Sequence, residues 1–132
     1  MRRTLASMTV AAAAACLLAG AVLPAHAIEF NPDAPLDPSQ VNDRRCERVL
    51  CLIEHTGFGG RRAYYEHGSK NLAKYGPAFN DRTSSIYNGT NQRWCVFVDA
   101  DYEGRGWYVE PRRMYRSLNP AANDSISSLK AC

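Results

Sequence analysis

Histidine is scarce in this 132-residue chain, with three copies, and neither a His-Glu-x-x-His nor a Gly-x-Ser-x-Gly pattern occurs. The signatures of zinc peptidases and of serine-hydrolase nucleophiles are therefore missing, and catalysis is not expected. Long apolar runs are lacking as well. The most apolar stretch, residues 8–22, falls short of the roughly 20 residues a bilayer-spanning helix needs. No excess of one charge sign stands out: 16 Lys and Arg face 13 acids, for a net charge of +3. The arginine pairs at 44–45, 61–62 and 112–113 are scattered rather than gathered in a stripe, so no nucleic-acid partner is expected. A convincing long helical pattern is absent too, which turns attention to short strands.

What is present begins with Arg2-Arg3, the apolar run, and Ala25-His26-Ala27, the layout of a secretory signal peptide over residues 1–27. Cys16 follows alanines with no leucine at the place a lipoprotein needs it, so export with cleavage before Ile28 is the expectation. The remaining 105 residues carry net charge +1, because the leading segment holds two arginines and no acid. They suit one small secreted domain with no membrane segment after cleavage. Four cysteines then remain, Cys46, Cys51, Cys95 and Cys132. An even set in a small exported chain reads as two disulfides, with three pairings open. Zinc is the alternative, but Cys95 and Cys132 stand alone without a nearby histidine.

Residues 28–45 hold Pro32, Pro35 and Pro38 with Asp33, Asp37 and Asp43 and no apolar periodicity, so a flexible leader is expected there. From residue 46 the chain repeats itself. Cys51 to Cys95, Gly60 to Gly104 and Glu66 to Glu110 are each 44 positions apart, and Asp81 to Asp124 and Ser85 to Ser128 are each 43. Such a constant offset marks an internal duplication, with units at about 46–90 and 91–132. Each unit opens with an apolar β-prone run, Val49 to Ile53 and Trp94 to Val98, then a Gly-containing turn and a return strand. Closing strands are expected at 84–87 and 126–131, and an irregular stretch at 111–119. Short strands separated by turns predict an all-β sandwich. The adjacent pairs Tyr64-Tyr65 and Trp107-Tyr108 must each turn one member outward. His55 and His67 read as surface residues.

Phe97-x4-Tyr102-x-Gly104, closed by Ser128, resembles the βγ-crystallin Greek key, and Ile53-x4-Phe58-x-Gly60 with Ser85 is a first copy. The resemblance implies a double Greek-key sandwich of two pseudo-symmetric units over residues 46–132. Each hairpin would fold over its aromatics where the glycine permits a conformation closed to other residues. Ile53 stands where an aromatic is usual, so a looser first hairpin is expected. Asn80-Asp81-Arg82-Thr83-Ser84-Ser85 and Asn123-Asp124-Ser125-Ile126-Ser127-Ser128 match the family's calcium motif. The resemblance implies two composite Ca²⁺ sites, one from the Arg82 carbonyl, Ser84 and Asp124, the other from the Ser125 carbonyl, Ser127 and Asp81. With one carboxylate apiece they would be weak, at about 10⁻⁵ to 10⁻³ M. Arg82 places a cation beside the first, making it the weaker of the two.

Cys46-x4-Cys51, Gly-Phe-Gly-Gly and Phe79-Asn80-Asp81 are also similar to a secreted actinobacterial peptidase-inhibitor family typified by the Streptomyces metalloproteinase inhibitor. Membership implies a secreted, non-enzymatic domain whose partner is an extracellular, thermolysin-like metallopeptidase; a monomer is expected. The type member's second short Cys-x4-Cys loop has no counterpart here, so no reactive-site residue carries over. The crystallin arrangement lays the first and fourth strands of a unit side by side, which implies Cys95–Cys132, leaving Cys46–Cys51. Two alternatives stand beside inhibition: a calcium-stabilised structural or stress domain, and a killer-toxin-like protein reading cell-wall glycans with exposed Tyr and Trp.

Overall fold

The computed structural model describes residues 27–29 and 33–132. The signal segment expected over residues 1–27 thus lies outside the described residues, apart from Ala27. Leu50-Cys51-Leu52-Ile53 is apolar without alternation, the pattern of a strand covered on both faces. It forms β3 (Leu50–Ile53), with all four residues buried. Around it run β1 (Ala27–Glu29), β2 (Ala34–Pro35), helix α1 (Pro38–Val41), β4 (Arg62–Tyr65), β5 (Ser85–Asn88), β6 (Trp94–Asp99), β7 (Glu103–Val109), β8 (Arg113–Tyr115) and β9 (Ser128–Ala131).

Two sheets result, in the orders β1-β7-β6-β9 and β2-β8-β5-β3-β4. In each unit the first strand is flanked by the second and the fourth, β3 by β4 and β5, β6 by β7 and β9, all antiparallel. The third segment crosses over. The stretch expected to be irregular contains β8, which pairs with β5 of the first unit through Tyr87 and Met114. Its counterpart 44 residues earlier, Ser69, makes a single bridge to Leu129 on β9. A three-residue strand whose partner lies in the other unit leaves too little local pattern to read in advance.

Between the sheets lies the main core, with Leu50, Leu52, Ile86, Trp94, Val96, Trp107 and Leu129 among its buried members. Of the adjacent aromatics, Tyr65 and Trp107 are buried while Tyr64 and Tyr108 are half-buried. A second apolar cluster covers the opposite face of β3 and β5, where Val41, Cys46, Cys51, Ile53, Phe58, Tyr87 and Met114 meet.

That second cluster corrects the flexible leader. Residues 34–35 pair with β8, and α1 places Val41 in the cluster at 4% exposure. Asp37, Pro38 and Asp43, which read as leader chemistry, act as helix punctuation instead. Asp37 caps α1 through the Ser39 amide with Pro38 at the first helical position, and Asn42 ends it in the left-handed region. Asp43 caps the following turn, Arg44–Glu47. Gly89 lets that turn lie close, since a Cβ there would meet the Cys46 carbonyl and the Glu47 backbone. The same covering tightens the first hairpin rather than loosening it: Ile53 and Phe58 are 0% and 2% exposed, against 8% for Phe97.

The cysteines pair as the crystallin arrangement implied, Cys46 with Cys51 and Cys95 with Cys132, at Cα separations of 5.6 and 5.8 Å. No thiolate is left among them to hold zinc. Among the described residues, no helix is long and apolar enough to cross a membrane.

Candidate functional site

The site grows out of the two folded hairpins. In the first, Gly57, Phe58 and Gly60 have φ of 71°, 68° and 86°, and in the second, Asp101, Tyr102 and Gly104 repeat this at 60°, 62° and 79°. A positive φ at a bulky aromatic is unfavourable, so something must hold it. A buried serine does so in each unit. Ser85 Oγ donates to the His55 carbonyl (2.7 Å) and accepts from the Phe58 amide (3.2 Å). Ser128 Oγ donates to the Asp99 carbonyl (2.6 Å) and accepts from the Tyr102 amide (3.0 Å). These serines end the two Asn-Asp motifs, so bracing a hairpin also fixes the loop that precedes it.

The two loops clasp each other reciprocally. The Asp81 amide donates to the Ile126 carbonyl (3.1 Å) and the Asp124 amide to the Thr83 carbonyl (2.9 Å). Both aspartates sit at φ 55°, a conformation that aspartate tolerates better than most residues. Ser84 Oγ then lies 3.2 Å from Asp124 Oδ1, and Ser127 Oγ 3.3 Å from Asp81 Oδ1. The structure thus brings each serine beside the aspartate of the other copy. Among the described residues, neither the Arg82 nor the Ser125 carbonyl accepts a backbone hydrogen bond. Asn123 Oδ1 and Thr83 Oγ1 are buried without a partner beside the same loops.

For a cation, this donor set offers oxygen only: one carboxylate, one hydroxyl and one carbonyl on each side. Among the described residues no group of three or more His, Cys, Asp or Glu side chains gathers anywhere. A hard, oxygen-seeking ion such as Ca²⁺ fits such a set, and a zinc ion does not.

A cavity of about 240 Å³ beside the first pair is lined by Glu54, His55, Asp81, Arg82, Ser84 and Asp124. Sequence reasoning missed Glu54 and His55 as lining residues. They directly precede the first hairpin turn, which was the available signal, but 44 positions later stand Val98 and Asp99. The two sides of the site therefore carry their acid at different positions, Glu54 on one and Asp99 on the other. Glu54 is committed to Arg61, accepting from its amide (3.1 Å) and its guanidinium (3.3 and 3.1 Å). The Arg61 hydrogen bonds hold its carboxyl down to about 2. His55 is exposed, as is His67. On the far side of the sheet the Tyr64 hydroxyl bonds to Asp43 (2.7 Å) and lowers its carboxyl, with the Arg45 amide and Arg62 adding to the effect.

A glycan-reading surface is not built from the tryptophans. Trp94 and Trp107 are each 1% exposed, and Tyr64 carries Arg45 over its ring at 3.7 Å.

Paired four-strand units, exchanged third segments and serine-braced hairpins define a βγ-crystallin double Greek-key domain. Solved structures agree. A βγ-crystallin from Ciona intestinalis is 30% identical, aligned over 63% of this chain and 98% of that one, with a TM-score of 0.55. An archaeal βγ-crystallin is 28% identical over 64% and 96%, with a TM-score of 0.54. The βγ-crystallin domain of Clostridium beijerinckii, 20% identical over 64% and 97% with a TM-score of 0.56, shares the fold. Within that fold the family is narrower: the model of peptidase inhibitor family I36 matches residues 40–109, and the chain belongs to that family. No curated protein matches the chain in sequence.

Proposed function

We propose that this protein is a secreted, non-enzymatic inhibitor of extracellular peptidases, directed at metallopeptidases, whose paired loops bind calcium. The family match over residues 40–109 carries the inhibitory reading. The two disulfides and serine-braced hairpins support it physically, because a stiff inhibitor loses little conformational freedom on entering a cleft. They also suit an oxidising, extracellular setting.

The reciprocal Ser84–Asp124 and Ser127–Asp81 pairs support calcium. One ion would be held by the Arg82 carbonyl, Ser84 and Asp124, the other by the Ser125 carbonyl, Ser127 and Asp81, with water completing each shell. A bound ion would neutralise the carboxylate and tie the two units together, and it would stabilise the fold by mass action. At a concentration 100-fold above Kd that is worth about 2.7 kcal/mol. A calcium-stabilised structural domain is the second reading, and these pairs favour it equally.

The test is an inhibition panel of thermolysin-like and subtilisin-like peptidases at millimolar calcium, paired with calorimetry. Inhibition of a metallopeptidase at stoichiometric protein is expected, and no inhibition across the panel would leave the structural reading. Two weak calcium events are expected, one lost in Asp124→Asn and the other in Asp81→Asn. The first site should tighten in Arg82→Ser. A heat signal absent in the wild type, with an unmoved melting temperature, would remove calcium.

A further inference from the structure

Among the described residues, the one large hydrophobic side chain left in solvent is Tyr75, 47% exposed. It lies in the middle of six consecutive exposed residues, 73–78. Buried anchors bound that run on either side, Leu72 at 0% and Phe79 at 4% exposure. The anchors are tied to each other, the Phe79 amide donating to the Leu72 carbonyl (3.1 Å), so the loop leaves and re-enters the domain at one point.

The loop is also held along its length. The Leu72 amide donates to the Ser127 carbonyl (2.8 Å), and the Tyr75 amide to the Asn71 carbonyl (3.0 Å). The Asn71 side chain accepts from the Ala73 and Lys74 amides (3.0 and 3.1 Å). On the far limb the Tyr65 hydroxyl donates to the Pro77 carbonyl (3.0 Å). An exposed loop, fixed at both ends and offering one aromatic ring to solvent, is an element that a substrate-binding cleft can accept. An exposed aromatic on a stiff frame is the usual anchor of a tight interface.

We infer that residues 73–78 form the peptidase-contacting loop, with Tyr75 filling an apolar specificity pocket of the enzyme. This rests on the inhibitor reading and supplies the contact residue that reading lacked. An enzyme that cuts ahead of bulky apolar residues would align the Lys74–Tyr75 amide with its catalytic centre. One that cuts after an aromatic would align Tyr75–Gly76. Lys74 adds a positive charge beside the ring, which suits an acidic rim around the pocket.

The experiment compares inhibition constants of the intact protein with those of Tyr75→Ala, Tyr75→Phe and Glu103→Ala, the last an exposed control on the second hairpin. Truncating the ring should weaken inhibition by about 100-fold or more, the range of an interface anchor. Tyr75→Phe should stay within a few-fold of wild type, and all four proteins should keep one melting temperature. Prolonged incubation with excess enzyme, followed by mass mapping, should place the first cut at Lys74–Tyr75 or Tyr75–Gly76. Inhibition unchanged in Tyr75→Ala, or a first cut in any other loop, overturns the loop assignment while leaving the inhibitor reading intact. A wild type that inhibits no peptidase overturns both.

Discussion

Ser85 and Ser128 show how much one hydroxyl can decide. Each is 0% exposed and satisfies a carbonyl and an amide of a hairpin whose aromatic sits at positive φ. Alanine at either position would leave the hairpin amide and carbonyl without this partner, at about 1–3 kcal/mol in all because the carbonyl can turn to water. Ser128→Ala and Ser85→Ala should therefore both lower the free energy of unfolding in urea by that order. A change below half a kilocalorie would show that the hairpins hold their shape unaided. The 43-residue spacing marked these serines as a repeated pair, and the likeness to the crystallin Greek key gave them their place at the close of each hairpin motif. The reciprocity of the aspartates was expected only through the likeness to the family's calcium motif, since nothing local in the chain says which copy faces which.

At the scale of elements, the β3–β4 hairpin is clamped at its turn end by Glu54 and Arg61, while the second hairpin has Val98 and Arg105 at the matching positions. The Glu54 carboxyl lies at about 2, below its ordinary 4.5, so the charged form is favoured in the folded state. The stabilisation this confers is complete above the ordinary value and fades as pH falls from about 4.5 towards 2. Urea unfolding of wild type and Glu54→Gln should thus differ at pH 6 and converge by about pH 2. A gap that stays constant across that window would assign the effect to packing. The N-terminal segment teaches a different lesson. Its Pro and Asp residues suit a disordered leader and suit helix caps equally well, and only the apolar face waiting on β3 and β5 selects the second outcome.

For the whole molecule, the exchanged third segments matter most. β8 completes the first unit's sheet, and Ser69 touches β9 of the second, so neither unit owns a finished core. Trp94, Trp107 and Leu129 from one half pack with Leu50, Leu52 and Ile86 from the other. Residues 46–90 expressed alone should show no cooperative thermal transition, whereas the full chain should unfold in one step. A folded half-domain would mean that the duplication is of independent units rather than of interlocked ones.

The sequence by itself determined the duplication, the short strands, the hairpin glycines and serines, and the disulfide-bearing class of fold. Those features repeat locally or at a fixed offset, and periodicity survives without coordinates in space. Tertiary structure decided where the leader packs, that Trp107 is core rather than surface, that Glu54 and His55 border the loop site, and that Tyr75 is left exposed. Each of these depends on which distant face covers a residue, and burial of that kind is a property of the assembled sheets rather than of any segment.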